Sequence, residues 1–515
     1  FDQRIAQEIY HLFPESSEKL RTLFASVASC SPYLYSQIVK EKSWLVNAAS
    51  DNDFNILSLL EPLDSETYDS LYLKLRVAKR RAALWIAFND LADTWSLEVV
   101  TKNLSEFADK AINLSWRASF LKELKKGKFP KQYHGDPDKV GFFILAMGKL
   151  GAFELNYSSD IDLICFFDEE VFHPDEFQDV RRIFINATKN MYRILNEHGK
   201  DGYVFRTDLR LRPDPSVTPV CMGVDAAERY YASLGRTWER AAFIKARVCA
   251  GDHSAGIKFL KNMEPFVWRK YLDYAAISDA HDIRLRIRDH YKTKKGDITL
   301  PKHNMKLGRG GIRDIEFFTQ THQIIFGGRD KSIRSRATIT SLRAVADKKW
   351  LPKVLVKDLI ENYRFHRTIE HRLQMVNDAQ THELPNSDQG FARLACLMGA
   401  EKDDLQKELV DRLSKTNCAI EGFFEPQNTD QNIQSPSFSK EFKDQLKKWE
   451  SFPALRTTRA ISIFERIKPV MLEKINSTAR PQETLKAFGN FLSKLPAGIQ
   501  IFSLFENNKQ ILDLL

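Results

Sequence analysis

Apolar residues at Ile5, Ile9, Leu12 and Phe13 recur with helical spacing, and Leu71–Leu91 carries a second stripe of the same period. Residues 1 to about 130 therefore read as helices. The period then changes. Val140–Met147 (VGFFILAM) is a continuous apolar run, followed by a glycine-bearing turn and by Ile161–Phe167 (IDLICFF). Both have the length and composition of buried strands. Tyr203–Leu211 (YVFRTDLRL), where apolar and charged residues alternate, predicts a third strand, and Asp175–His198, closed by Gly199, predicts a helix before it. A strand–strand–helix–strand order implies a small α/β domain over roughly 131–250, set within helices. From about 253 the helical period returns, most clearly in Ile312–Phe326, Thr340–Trp350 and Val354–Asn377. Residues 426–438 (PQNTDQNIQSPSF) are polar, proline-containing and nearly uncharged, which predicts a linker ahead of a further helical piece, Ser439–Leu515.

Length and charge refine this picture. A chain of 515 residues allows two to four domains, each with its own core. No run of 18 apolar residues occurs and mean hydropathy is −0.39, so no membrane helix is expected. Lys and Arg number 77 against 68 Asp and Glu, a net charge of +9, which favours anionic partners. The excess is concentrated: Arg284–Arg313 holds ten Lys/Arg and two Asp. Such a run is a solvated face, a funnel for phosphate groups or a docking surface. Six cysteines are scattered without a C-x-x-C pair, so neither a compact zinc site nor a disulfide framework is expected, and a reducing cytoplasm fits best. The chain starts at Phe1 rather than Met and ends on an apolar run, and reads as a piece of something longer.

The chemistry concentrates in Gly148-Lys149-Leu150-Gly151 and Asn156-Tyr157-Ser158-Ser159-Asp160-Ile161-Asp162-Leu163. Alternate strand residues face one way, so Asp160 and Asp162 project together at the start of the second strand. Adjacent carboxylates repel unless a cation sits between them, and paired Asp at i, i+2 is a common way to hold Mg²⁺. Asp208 on the third strand offers a third carboxylate, flanked by Arg206, Arg210 and Arg212, whose guanidinium groups suit phosphate oxygens. An isolated D-x-D means little. Asp51/Asp53 and Asp136/Asp138 repeat it in turn-like contexts, and a loop cap running into a strand explains such a pair. Here a glycine turn precedes the pair, the strand behind it is wholly apolar, and an Arg-x-Asp-x-Arg strand follows. That combination matches a nucleotidyltransferase fold of the polymerase-beta type. Gly148-Lys149 is no P-loop, because Phe143 and Leu150 occupy the positions of its glycine and hydroxyl residue.

Five stretches in order carry a closer likeness: MGKLGAFELNYSSDIDLI, FRTDLRLRPDPSVTPV, TWERAAFIKARVCAGD, FVWRKYLDYAAI and KLGRGGIRDIEFFTQ. Together they resemble successive motifs of the bifunctional glutamine synthetase adenylyltransferase/adenylyl-removing enzymes, over roughly 140–330 and more weakly to 515. The wording NYSSDIDL and GRGGIRDIEF resembles the N-terminal, adenylyl-removing half of that family, while Ala152-Phe153 departs from its commoner Gly and basic residue. The resemblance implies an α+β fold, a polymerase-beta-type nucleotidyltransferase domain embedded in mostly helical domains: helices over 1–130, the catalytic domain over 131–330, a helical bundle over 331–425, and a linker with the start of a connecting domain over 426–515. It implies phosphorolysis of the AMP-tyrosine of glutamine synthetase by orthophosphate, releasing ADP, with Mg²⁺ held by Asp160, Asp162 and Asp208. Gly148, Lys149, Ser159, Arg210, Arg212, Arg309 and Glu316 would meet substrate or phosphate. PII signal protein is the regulator it implies, and ATP a substrate of the whole enzyme. The alternatives are the reverse assignment, AMP transfer from ATP to the tyrosine, and a catalytically silent basic scaffold for nucleic acid or a regulatory protein. The intact Asp set and the Arg-bearing strand argue against the scaffold.

Four further groups admit two readings each. Gly308-Arg309-Gly310-Gly311 leads into a helix, and either its backbone N–H groups and Arg309 bind an anion or the glycines merely permit a tight entry. Asp314 and Glu316 suit a helix start, and the family likeness adds a site role. Trp238-Glu239-Arg240 reads as structural, with Glu239 a candidate site member. His366, Glu370 and His371 miss the helical zinc spacing by one residue and read as a salt-bridged helix face.

Overall fold

The computed structural model of the chain describes residues 1–51, 53–269, 298–424 and, apart from a few positions, 446–495, with 502. Described residues up to Gly422 form one compact unit and those from Phe423 onward a second. Five strands make the sheet of the first unit: β1 (Phe142–Ala146), β2 (Asp160–Phe167), β3 (Arg206–Asp208), β4 (Cys221–Gly223) and β5 (Arg247–Gly251). β1 lies between β2 and β5, antiparallel to both. β3 and β4 run parallel to β2 on its other edge, β3 against the first residues (Asp160 opposite Arg206, Asp162 opposite Asp208) and β4 against the last (Cys165 opposite Cys221). That edge is thus one line broken by the excursion 209–220.

The third predicted strand proves much shorter than Tyr203–Leu211, for local reasons. Val204 and Phe205 donate their N–H groups to the Leu195 carbonyl, at 3.0 and 2.9 Å, rather than to a ladder. At the other end Asp208 Oδ1 accepts the Arg210 N–H at 2.7 Å, closing an Asx turn, and Pro213 and Pro215 follow. β4, with three residues, is too short to have announced itself in the pattern. The predicted helices are present, as Phe177–Asn196, Ile312–Phe326, Thr338–Asp347 and Lys353–Asn377.

Strand alternation sorts β2 into two faces. Ile161, Leu163, Cys165 and Phe167 enter the core shared with the Leu97–Leu124 and Phe177–Asn196 helices. There Trp116 stacks on Phe142 with ring centroids 3.6 Å apart, and Phe184 packs on Phe142 and Phe167 at 5.3 Å each. Each such ring stabilises the unit by about 2–3 kcal/mol through burial. On the opposite face Phe143 and Phe166 pack on Phe259 of the His253–Asn262 helix, whose start Asp252 caps through the Ser254 and Ala255 N–H groups. Asp160 and Asp162 share that second face, ahead of the Ile164 and Phe166 positions, at the end of β2 that meets β3.

The second unit contains the Thr458–Asn476 and Pro481–Ser493 helices around Trp449, Phe464, Phe488 and Leu492. The predicted linker 426–438, the greater part of FVWRKYLDYAAI and the first half of the basic run lie outside the described residues. No helix among the described residues is long and apolar enough to cross a membrane.

Candidate active site

β1 delivers the chain to the glycine turn and β2 returns it with two carboxylates. The Met147 N–H bonds the Asp162 carbonyl at 2.9 Å, so the turn is registered on the residue it serves. Gly148 follows at φ +54°, and a Cβ there would stand 2.7 Å from Asp162 Oδ2. Only glycine meets both demands. The parallel register sets Asp208 beside Asp162, and carboxylate oxygens of Asp160, Asp162 and Asp208 lie within 4.8 Å of one another. Among the described residues no other cluster of three metal-ligating side chains occurs. Burial first, then repulsion from Asp160 and Asp208, pushes Asp162 up to about 7, against the opposing pull of Lys306 and Lys149. Mutual repulsion of this kind is what a cation relieves, and three convergent carboxylates are the hard-oxygen set that suits a divalent ion. Asp208 is held below its ordinary value because hydrogen bonds from Arg210 outweigh its burial. The Arg210 guanidinium grips both its oxygens, Nε at 3.0 Å from each and Nη2 at 2.6 Å from Oδ2, while its side chain remains 81% exposed.

The residues just ahead of Asp160 are fastened one after another, Asn156 and Ser158 to the Lys353–Asn377 helix and its cap, Tyr157 to the Tyr68–Leu91 helix. Asn156 Nδ2 donates to Glu370 Oε2 at 2.5 Å, and its Oδ1 accepts from Arg367 Nη2 at 2.6 Å and lies 3.0 Å from His371 Nε2. Tyr157 donates its hydroxyl to Asp90 at 2.9 Å. The Ser158 N–H bonds Gln374 Oε1 at 3.2 Å, and its hydroxyl donates to Asp378, the left-handed residue that ends the helix. Arg206 of β3 ties the Ser158 and Asp378 carbonyls together at 3.2 and 3.0 Å. The Asn-Tyr-Ser run is therefore a clamp that aims the loop. Ser159 is buried directly ahead of Asp160.

Lys149 is part of the same clamp. Its Nζ sits 3.1 Å from both Glu370 oxygens, and burial, despite that partner, lowers it to about 8. Glu370 also meets His382 Nδ1 at 2.6 Å and Arg367 at 3.5 Å, so His366–His371 belongs to a buried polar helix face. Arg212 turns away from the carboxylates, onto the carbonyls of Leu209, Pro215 and Thr218. Glu316 is buried against Lys245 Nζ at 2.8 Å, and Lys245 also binds Glu154 at 2.9 Å. Arg309 pairs with Glu421 at 3.2 Å. The glycine loop around it spends its own donors: Gly310 N–H on Asp314, Gly311 on Gly308, Ile312 on Met305 and Arg313 on Lys306. Tight entry, with Gly310 at φ +71° and the Leu413 carbonyl 2.0 Å from where a Cβ would stand, accounts for these glycines. Glu239 caps its own helix by accepting the Arg236 N–H at 2.8 Å. Gly148, Asp160, Asp162, Asp208 and Arg210 thus converge, while Arg212, Arg309 and Glu316 serve other partners.

Two contributors were hidden in the sequence. Lys306 acts electrostatically on both Asp162 and Lys149, yet it stood in the sequence only as one charge of a long basic run. Glu370 lies 221 residues from Lys149, and no local signal joins them.

A glycine turn after the first strand, two aspartates opening the second and a third aspartate on its parallel neighbour belong to the nucleotidyltransferase class. Residues 21–262 match the family described as glutamate-ammonia ligase adenylyltransferase, and 281–427 match the one described as GlnD PII-uridylyltransferase. The chain is similar to proteins named bifunctional glutamine synthetase adenylyltransferase/adenylyl-removing enzyme. That of Rhizobium meliloti (strain 1021) is 41% identical over 86% of this chain and 47% of the relative. Those of Agrobacterium fabrum and Bradyrhizobium sp. (strain BTAi1) are 38% and 35% identical, over 96% and 100% of this chain and 54% and 56% of the relatives. The chain spans about half the length of the curated relatives it matches.

Proposed function

We propose that this chain is the adenylyl-removing half of a bifunctional enzyme acting on glutamine synthetase in the cytoplasm. The reaction is phosphorolysis: an orthophosphate oxygen forms a bond to the phosphorus of the AMP-tyrosine ester, the bond to the tyrosine oxygen breaks, and ADP and free tyrosine leave. The observation that carries the proposal is the convergence of Asp160, Asp162 and Asp208 beside the Gly148 turn. These carboxylates would hold Mg²⁺, which when bound supplies charge neutralisation for the phosphoryl oxygens. Arg210, exposed and paired with Asp208, would turn to the phosphate. The Lys353–Asn377 helix holds the loop rigid through Asn156 and Ser158, so the reacting groups meet a fixed frame. The NYSSDIDL and GRGGIRDIEF wording supports the removing direction. A PII-type protein as regulator agrees with the match of 281–427 to a family named for PII uridylylation.

The test supplies adenylylated glutamine synthetase, Mg²⁺ and orthophosphate to the chain and follows ADP. Phosphate-dependent ADP that disappears in Asp160→Asn is expected. AMP incorporation from ATP into unmodified glutamine synthetase, without ADP release from the modified form, would assign the chain to the transferring direction instead.

A further inference from the structure

All six cysteines are free thiols, and two of them face each other across most of the chain. Cys30 ends the Glu18–Cys30 helix and is buried; Cys396 lies on the Asp388–Met398 helix and is exposed. Their sulfurs are 3.1 Å apart although 366 residues separate them. About 1 Å of closure would reach the covalent distance of about 2.05 Å. The approach is fixed by the scaffold on both sides. Ser31, next to Cys30, donates its hydroxyl to the carbonyls of Met375 and Val376 at 2.7 and 3.3 Å. Leu397, next to Cys396, accepts from Arg372 Nε at 3.2 Å. Both cysteines are therefore pinned to the same end of the Lys353–Asn377 helix, whose following residue Asp378 holds the loop ahead of Asp160.

We propose that Cys30 and Cys396 form a reversible thiol–disulfide modification site, addressed by a small disulfide such as oxidised glutathione. The exposed Cys396 thiolate attacks one glutathione sulfur. The glutathione S–S bond breaks, and one glutathione leaves and takes a proton from water. Cys30 then attacks the Cys396 sulfur, the mixed disulfide breaks, and the second glutathione leaves with the proton that Cys30 gives up. Two protein thiols are oxidised and one glutathione disulfide is reduced to two thiols. The division of labour follows from the structure, because of the two Cys396 is the one open to solvent and Cys30 directs its S–H at it. That hydrogen bond holds the Cys396 thiol down at about 6, a range favouring the attacking thiolate. A resting reduced state is compatible with reducing surroundings, since the exposed member leaves the bond open to exchange.

The experiment exposes the 515-residue chain to excess oxidised glutathione, blocks the remaining thiols with an alkylating agent, and maps the peptides by mass spectrometry. A 30–396 disulfide reversed by dithiothreitol is expected, forming roughly tenfold or more faster than in the urea-unfolded chain because the sulfurs are pre-positioned. Cys396→Ser, at an exposed position, should abolish the crosslink, and Cys30→Ser should leave glutathione trapped on Cys396. A native chain that accumulates the Cys396 adduct without the crosslink, or that pairs Cys396 with Cys418 as readily, would overturn the proposal.

Discussion

Replacing Gly148 by alanine perturbs the carboxylate cluster without touching a carboxylate. The substitution carries two separable costs. At φ +54° an alanine is strained by about 1–2 kcal/mol. Its Cβ would also sit 2.7 Å from Asp162 Oδ2, where ordinary contact begins at 3.4 Å, so that oxygen must retreat by about 0.7 Å. Against metal–oxygen bonds of about 2.1 Å, such a shift spoils one ligand of three. Displacing the support of a metal ligand typically costs roughly 10–100-fold in affinity. Gly127→Ala supplies the control, because Gly127 has φ +70° but no atom within 4 Å of the added Cβ. Both variants should lose similar stability in urea unfolding. Only Gly148→Ala should weaken Mn²⁺ binding, measured by calorimetry or paramagnetic resonance. Equal Mn²⁺ affinity in Gly148→Ala and the native chain would refute the reasoning that this turn sets the position of Asp162.

Other consequences can be checked on the same protein. Lys245→Met leaves Glu154 buried without its cation and Glu316 with only the longer Arg313 contact at 3.5 Å, and urea unfolding should show a loss of about 3–5 kcal/mol. Arg210→Gln should leave the melting temperature unchanged, its side chain being 81% exposed, while phosphorolysis falls. Buried carboxylates should pull stability in both directions in acid. Burial opposes ionisation of Asp90, Glu316 and Glu370, but their partners win and hold all three well below the carboxylate range: His371 and Arg372, Lys245 and Arg313, and Lys149, His382 and Arg367 respectively. The unfolded chain takes up these protons near pH 4, so their contribution is complete above about pH 5 and is lost as pH drops, with a slope approaching about 4 kcal/mol per unit. Asp109 and Asp162, which burial above all pushes up to about 6 and about 7, work in the opposite direction, their contribution rising as pH drops. The groups are therefore followed one by one: carboxylate ¹³C resonances of Asp90, Glu316 or Glu370 that titrate near pH 4 in the folded chain would contradict that assignment.

Fold and site were legible where the physics is local. VGFFILAM and IDLICFF announce β1 and β2 because both faces of each strand are buried, and the Asp160/Asp162 pair stands out against that apolar run. Asp208 was visible through its arginine neighbours, and the parallel register then brought it alongside Asp162. Legibility ends where a partner is distant. A three-residue strand such as Cys221–Gly223 exists only because the end of β2 offers it a ladder. Arg212 and Arg210 look alike in sequence, yet one is spent on the carbonyls of its own turn and the other on Asp208. Lys149 reads as a lysine facing substrate or phosphate until the Lys353–Asn377 helix brings Glu370 to it.

The most direct measurement follows isotope rather than product alone. The chain is given adenylylated glutamine synthetase, Mg²⁺ and ³²P-orthophosphate, beside an Asp162→Asn variant. Label in the β-phosphate of ADP, absent from the variant, is the expected result. Unlabelled AMP released in place of labelled ADP, or label incorporation undiminished by Asp162→Asn, would contradict phosphorolysis at the three-carboxylate site.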